Sequence, residues 1–269
     1  MTLAYKYTKY RKDFFDNFLL KISRFGEFND PFEMVPGDLM LSLPETEAAE
    51  LLSQCYALSD PDHYLECYLN MSAGVRSSLG VVCFSERNDN LLMWAHYANN
   101  HDGICIELEA KPDLFSWGHD ESNNLNFPPT NKHRYKNCGV LTKVKYSRDR
   151  PLFMDPAELE HETESWFTKS EDWAYEQELR VLIPLDNAIR RDDMFFCAID
   201  KQCIKSIILG CQMDSEEKKE VHAICSKLGI AVKESFISSS KYALDIVKYH
   251  PDNHHSHINY YNFAKITKF

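Results

Sequence analysis

The sequence predicts an α+β domain: a central, mainly antiparallel or mixed sheet with helices set around it. Three observations carry this. Short apolar runs bounded by turn residues recur along the chain, among them GVVCFS at 80–85, ICIEL at 104–108 and ELRVLIP at 178–184. Helical periodicity is confined to separated stretches, as in Ser215 to Leu228, where Val221, Ile224, Cys225 and Leu228 form a stripe. The apolar share is 44% of 269 residues, enough to bury a sizeable core. Residues 1–248 are expected to form one domain, and 249–269 a C-terminal tail.

The elements follow in chain order. LAYKYTKY alternates and is rich in Tyr, which predicts an opening strand. Phe14, Phe15, Phe18, Leu19 and Ile22 fall at helical spacing and predict a helix over RKDFFDNFLLKI. FNDPFE follows, with Asn29-Asp30-Pro31 as turn chemistry. Residues 44–71 read as helical, with Pro44 in the first turn and Glu45 and Glu47 favouring the N-terminal dipole. Gly80 to Ser85 reads as a buried strand and Asn88 to Tyr97 as a helix; Asp102-Gly103 turns into a strand at Ile104 to Leu108. Lys111 to Gly139, rich in Asn and Pro, reads as a long loop. A strand at 140–146, a helix at 156–169 and strands at 178–184, 195–199, 204–209 and 230–236 complete the domain.

Composition excludes some classes of function. Net charge is −11, which argues against a broad face for coating nucleic acid. The nine cysteines are odd in number and none sit at CxxC spacing, so they read as reduced structural thiols. The first twelve residues lack an apolar signal core, and no run approaches the ~20 apolar residues that span a bilayer. A cytoplasmic location without membrane contact is the expectation. His250, His254, His255 and His257 sit in a polar tail, read as solvated rather than as metal ligands, and no metal site is expected. GxGxxG, GxxxxGK[ST], GxSxG and HExxH are all missing.

Two constellations stand out. In SERNDNLLMWAHY, Ser85 ends a buried strand, Trp94 and Tyr97 share a helical face, and His96 points elsewhere. This suggests a pocket with an aromatic wall, a hydroxyl and an imidazole. In EDWAYEQELRVLIP, an extended backbone would place Glu176, Glu178 and Arg180 on one face. Paired carboxylates of this kind orient a hydroxyl or stabilise a developing cation such as a ribosyl oxocarbenium ion. On the opening strand, Lys6 lies between Tyr5 and Tyr7, where it would hold a phosphate.

The blocks YKY, FNDPFE, CFSERNDNLLMWAHYANNHDGICIEL, WAYEQELRVLI and IKSIILG, in this order from about Leu3 to Gly210, resemble the bacterial family known as domain of unknown function 2971. The layout is in turn similar to the ADP-ribosyltransferase fold, with a basic residue on an early strand, a Ser or aromatic element after a middle strand, and a Glu on a late strand. Lys6, Ser85 with Tyr97, and Glu176 or Glu178 match these elements, and Glu176-Gln177-Glu178 fits the Glu-x-Glu pair of arginine-modifying members. The departure is on the opening strand, where Lys6 stands in place of Arg or His.

The resemblance implies an NAD-dependent ADP-ribosyltransferase-like enzyme, as a toxin or anti-phage defence effector, with NAD as substrate and a macromolecular acceptor. Glu178, Glu176, Ser85 and His96 would be catalytic. Lys6, Tyr7, Ser85, Trp94, Tyr97 and Arg180 would hold the nucleotide. Two alternatives remain open at this point. One is a non-catalytic sensor in a defence system that binds a nucleotide or a protein. The other is a metal-assisted nuclease using Asp30, Glu86, Glu176 and Glu178.

Overall fold

A computed structural model of the chain describes residues 2–33, 37–38, 44, 46–47, 74, 77–110, 138–153 and 164–251. Most of the helix expected at 44–71, most of the loop expected at 111–139 and most of the tail lie outside the described residues. The strands described are β1 (Thr2–Thr8), β2 (Leu19–Arg24), β3 (Gly37–Asp38), β4 (Leu79–Ser85), β5 (Ile104–Ala110), β6 (Thr142–Lys143), β7 (Lys145–Ser147) and β8 (Leu152–Phe153). They continue with β9 (Thr168–Ser170), β10 (Glu178–Pro184), β11 (Ile189–Arg191), β12 (Met194–Ala198), β13 (Ile204–Leu209), β14 (Ala231–Ile237) and β15 (Leu244–Lys248). The α-helices described from end to end are α1 (Phe14–Asn17), α2 (Leu91–Tyr97) and α3 (Ser215–Leu228).

Eleven strands form one sheet, in the order β11-β12-β2-β4-β1-β5-β13-β14-β15, with β10 beside β4 and β6 beside β10. Its pairs are antiparallel except β13 with β14, which α3 connects as a crossover. The mixed, mainly antiparallel α+β architecture is thus the one the sequence predicts.

The sheet divides at β4. One edge of β4 pairs with β10 from Glu178 opposite Ser85 to Pro184 opposite Leu79. The other edge is shared: Ser85 faces Tyr5 of β1, while Val81 and Gly80 face Ser23 and Arg24 of β2. Between these contacts β1 and β2 part, and the Cys83 carbonyl accepts a hydrogen bond from Lys6 Nζ at 2.9 Å.

Strand alternation sorts the core into two faces. Val82, Phe84, Leu179, Val181 and Ile183 join the cluster that Val221 and Cys225 of α3 cover. On the opposite face, Tyr5, Tyr7 and Cys105 pack with Met93 and Trp94 of α2, and Leu79, Val81 and Leu182 pack with Trp166 and Phe167. Glu178 and Arg180 alternate with the aliphatic residues of β10, so they project onto this second face, among the aromatics.

The local sequence sets α2 between two firm ends. Asn90 Oδ1 accepts from the backbone N–H of Leu92 and Met93, at 2.9 and 3.2 Å, and starts the helix. Asn99, Asn100 and His101 then take left-handed φ values of 49°, 54° and 68° and reverse the chain. Gly103 follows against β1; a Cβ there would lie 2.4 Å from the Thr8 carbonyl oxygen.

Several expectations require correction. The helix expected over Arg11–Ile22 is confined to Phe14–Asn17; Phe18 is left-handed and Leu19–Arg24 is a strand. A four-residue helix has little stability of its own, and pairing of this segment with β12 and β4 overrides its helical spacing. Glu171–Glu176 is a 3-10 turn rather than extended chain, and Gln177 (φ 44°) joins it to β10. The 140–146 strand is broken into β6 and β7, and the end of the expected 156–169 helix is instead a 3-10 turn, Glu164–Phe167, followed by β9. Strand β15, not anticipated, adds antiparallel to β14.

Candidate functional site

The parting of β1 and β2 opens a cavity of about 290 Å³, walled by Tyr5, Tyr7, Phe28, Met93 and Tyr97 among others. Lys6, Glu33, Lys169, Glu176 and Glu178 also line it. Its size falls at the small end of ligand pockets, which typically hold ~300–1,000 Å³.

Behind this wall lies a closed ionic network. Arg180, on β10, is fully buried. Its Nε and Nη2 donate to the two oxygens of Glu178 at 2.7 and 2.9 Å, Nη1 donates to the Trp166 carbonyl at 2.7 Å, and Nη2 also reaches Glu33. Lys169 Nζ sits 2.7 Å from Glu176, 3.1 Å from Glu33 and 3.4 Å from Glu178. The network holds three carboxylates and two cations, one negative charge in excess when all are ionised. Desolvating such charges costs several kcal/mol each, so only dense mutual pairing makes the arrangement tolerable.

The two central carboxylates have opposite proton affinities. Burial pushes Glu178 up, but the charge and hydrogen bonds of Arg180, with Lys169, outweigh it and hold the carboxyl down at about 2. Glu176 is raised above the ordinary carboxylate value, chiefly by burial and further by the charge of Glu178; Lys169 only partly offsets this. Tyr97 donates to Glu176 Oε1 at 2.5 Å. Glu178 is therefore a fixed anion and Glu176 the member that takes up a proton more readily. Glu33 Oε2 is buried yet lacks a hydrogen-bond partner, because its 3.1 Å approach to Lys169 is poorly angled.

The expected residues are brought together in part. Glu176, Glu178, His96, Tyr97, Lys6 and Tyr7 all line the cavity. Glu176 arrives there from the 3-10 turn and not from the face of β10, so only Glu178 and Arg180 share a strand face. His96, expected to point away, stands on the exposed rim against the rings of Tyr97 and Tyr175, with centroids 6.2 and 6.4 Å off. Trp94, expected in the wall, is fully buried behind it. Its indole N–H donates to the Asn88 carbonyl at 2.8 Å, and its ring meets Tyr7 edge-on. Met93, one position earlier on α2, takes the wall position instead.

Ser85 does not line the cavity as a ribose contact would. It is fully buried; its hydroxyl donates to the Glu176 carbonyl at 2.6 Å and accepts from the Arg87 N–H, fixing the backbone that carries Glu176. Arg180 likewise faces carboxylates rather than the cavity. The four carboxylates of the nuclease alternative do not assemble. Glu86 pairs with Lys143 at 2.6 Å and Asp30 caps the Phe32 N–H at 2.9 Å, both outside the cavity lining. Among the described residues, no group of three or more His, Cys, Asp or Glu has the geometry to hold a metal ion.

Two members of the network were not anticipated. Lys169 carries no local signal, since it sits where a helix end is expected. Glu33 ends the FNDPFE block, and its position within that block was the available hint.

The site thus belongs to a class defined by a carboxylate pair facing an aromatic-walled cavity at a split in an α+β sheet. The model of the family described as "Protein of unknown function (DUF2971)" matches residues 93–181, and the family resemblance read from the sequence is borne out. The match covers a third of the chain, from Met93 of α2 through Val181 of β10, and includes Lys169, Glu176, Glu178 and Arg180 but not Lys6, Glu33 or Ser85. No curated protein and no solved structure matches the chain. Among the described residues, no helix is long and apolar enough to cross a membrane.

Proposed function

We propose that the cavity is the active site of an NAD-dependent, ADP-ribosyltransferase-like enzyme. The observation that carries this reading is the Glu176–Glu178 pair: one carboxylate held ionised and one raised in proton affinity, both facing the same cavity. Glycosyl transfer through a ribosyl cation needs these two roles from two carboxylates. The C1′–N bond to nicotinamide breaks, and its electron pair leaves with neutral nicotinamide. The fixed charge of Glu178 stabilises the positive charge that develops at C1′. The acceptor's nucleophilic atom then bonds to C1′, and its proton passes to the Glu176 carboxylate. Glu33 Oε2, buried and without a hydrogen bond although it is ion-paired with Lys169 at 3.1 Å, is an acceptor for a substrate hydroxyl. Tyr97, Tyr7 and Met93 supply the apolar wall for a planar base.

The test is incubation of the purified chain with labelled NAD, alone and with cell lysate. Nicotinamide release or label transfer is expected. Glu178→Gln is expected to lower it by about 10²-fold or more, the loss typical of removing charge stabilisation at a transition state. In a host that supplies NAD and acceptor, the native chain slows growth as a toxin or defence effector would, and Glu178→Gln relieves it. Native protein with neither NAD cleavage nor transfer overturns the reading.

One observation favours a second reading. Both oxygens of Glu178 are already engaged by Arg180, as in a purely structural network around a nucleotide- or protein-binding cavity. Ligand-induced stabilisation by NAD without turnover would select this sensor function.

A further inference from the structure

A second chamber of about 290 Å³ opens beside the acidic one and shares Lys6, Tyr7, Ser23 and Tyr97 with it. Its chemistry is opposite. Lys6, Lys9, Arg11 and Lys21 line it, and its described lining contains no Asp or Glu. Phe14, Leu20, Ile104 and Phe196, all buried, form an apolar floor. In a chain of net charge −11, four cations converging on one chamber are not explained by overall composition.

The contacts neutralise this charge only in part. Lys6 donates to the Cys83 carbonyl and Arg11 to the Leu19 carbonyl at 2.8 Å, both uncharged acceptors. Asp13 stands 3.7 Å from Arg11, at the limit of an ion pair. Lys21 meets Glu27 at 3.0 Å, and Glu27 itself faces the acidic chamber. Positive charge with an apolar floor fits a ligand that carries phosphate beside an uncharged, flat moiety.

We infer that this basic chamber binds the diphosphate portion of a nucleotide whose glycosidic bond lies in the acidic chamber. The inference rests on the proposed function for its second clause only. The acidic cavity accommodates about a nucleoside, and a dinucleotide needs further space continuous with it. The shared residues Lys6 and Tyr7 mark where the two portions would join. A ligand with one cationic and one anionic end would be oriented by the two chambers before any chemistry.

Calorimetric titration of the full chain with ADP, pyrophosphate and adenosine tests this. ADP is expected to bind and adenosine to bind at least tenfold more weakly, with ADP affinity falling as salt rises. The double variant Lys9→Glu, Lys21→Glu, both on exposed side chains, is expected to weaken ADP about tenfold or more, and Lys9→Gln with Lys21→Gln less so in the same direction. Pyrophosphate binding as tight as ADP would assign the chamber to free phosphate compounds and overturn the nucleotide claim. ADP affinity unchanged in both double variants overturns the inference outright. The proposed activity is judged separately: ADP binding that depends on these lysines, with no NAD cleavage, would remove the enzyme reading and leave the basic chamber standing.

Discussion

Both halves of the sheet bury carboxylates, and they manage them differently. In the half built from β5, β13, β14 and β15, Glu107 and Glu109 are buried, but their lysine partners lead outward: the side chains of Lys233 and Lys205 are 35% and 46% exposed. Around the split at β4, Glu33, Glu176 and Glu178 pair with Lys169 and Arg180, and no side chain of the five exceeds 6% exposure. In the first arrangement solvent still screens the charge through the half-exposed lysines. The second is a closed network whose charges are balanced by one another, away from solvent. An apolar core of the same volume would serve stability as well or better, so the closed network points to a use at the cavity it faces.

The comparison can be broken most forcefully at Arg180. Arg180→Met leaves Lys169 as the one buried cation facing Glu33, Glu176 and Glu178, and a loss of about 3–5 kcal/mol is expected in urea denaturation. A loss below about 1 kcal/mol, on the scale of an exposed ion pair, would show that the network is not closed.

Acid titration sharpens the same contrast. Glu178 is depressed in the folded state, so its contribution is fully present above the ordinary carboxylate value of 4.5 and is lost as pH falls toward about 2. Glu176 is raised, so it acts in the opposite direction: its protonation on acidification relieves a buried charge. Folding stability followed from pH 7 to pH 3 should therefore decline mainly below about 4.5, and Glu178→Gln should flatten that limb. An unchanged acid limb in that variant would place the sensitivity elsewhere.

The smallest effect is expected in the other half. Glu107→Gln keeps an acceptor for Ser206 and frees Lys233 to turn to water, at a cost of about 1 kcal/mol. A loss comparable to that of Arg180→Met would erase the distinction between the halves.

Much of the sheet was legible because its strands are local apolar runs. Gly80 to Ser85, Ile104 to Leu108 and Ile204 to Leu209 need no distant partner to be recognised, and α3 shows its stripe within fourteen residues. The segment at Leu19–Arg24 was not legible, because its Phe and Leu spacing suits a helix and only pairing with β12 and β4 makes it a strand. The candidate site was half legible. Glu176 and Glu178 stood out as neighbours in sequence, but the turn at Gln177 that brings both to one cavity from different elements did not.

The sequence by itself determined the strands at Gly80–Ser85, Ile104–Leu108 and Ile204–Leu209, the apolar stripe of α3 and the presence of a carboxylate pair beside an aromatic helix. These depend on spacing within a few residues, which the chain carries locally. Only the tertiary structure decided that Glu33 and Lys169 close a network with Glu176, Glu178 and Arg180, and that Trp94 faces inward while Met93 and Tyr97 face the cavity. Glu33 and Arg180 are 147 positions apart. Their charges meet because β1 and β2 part over β4 and leave a gap, a feature of strand pairing that no local spacing encodes.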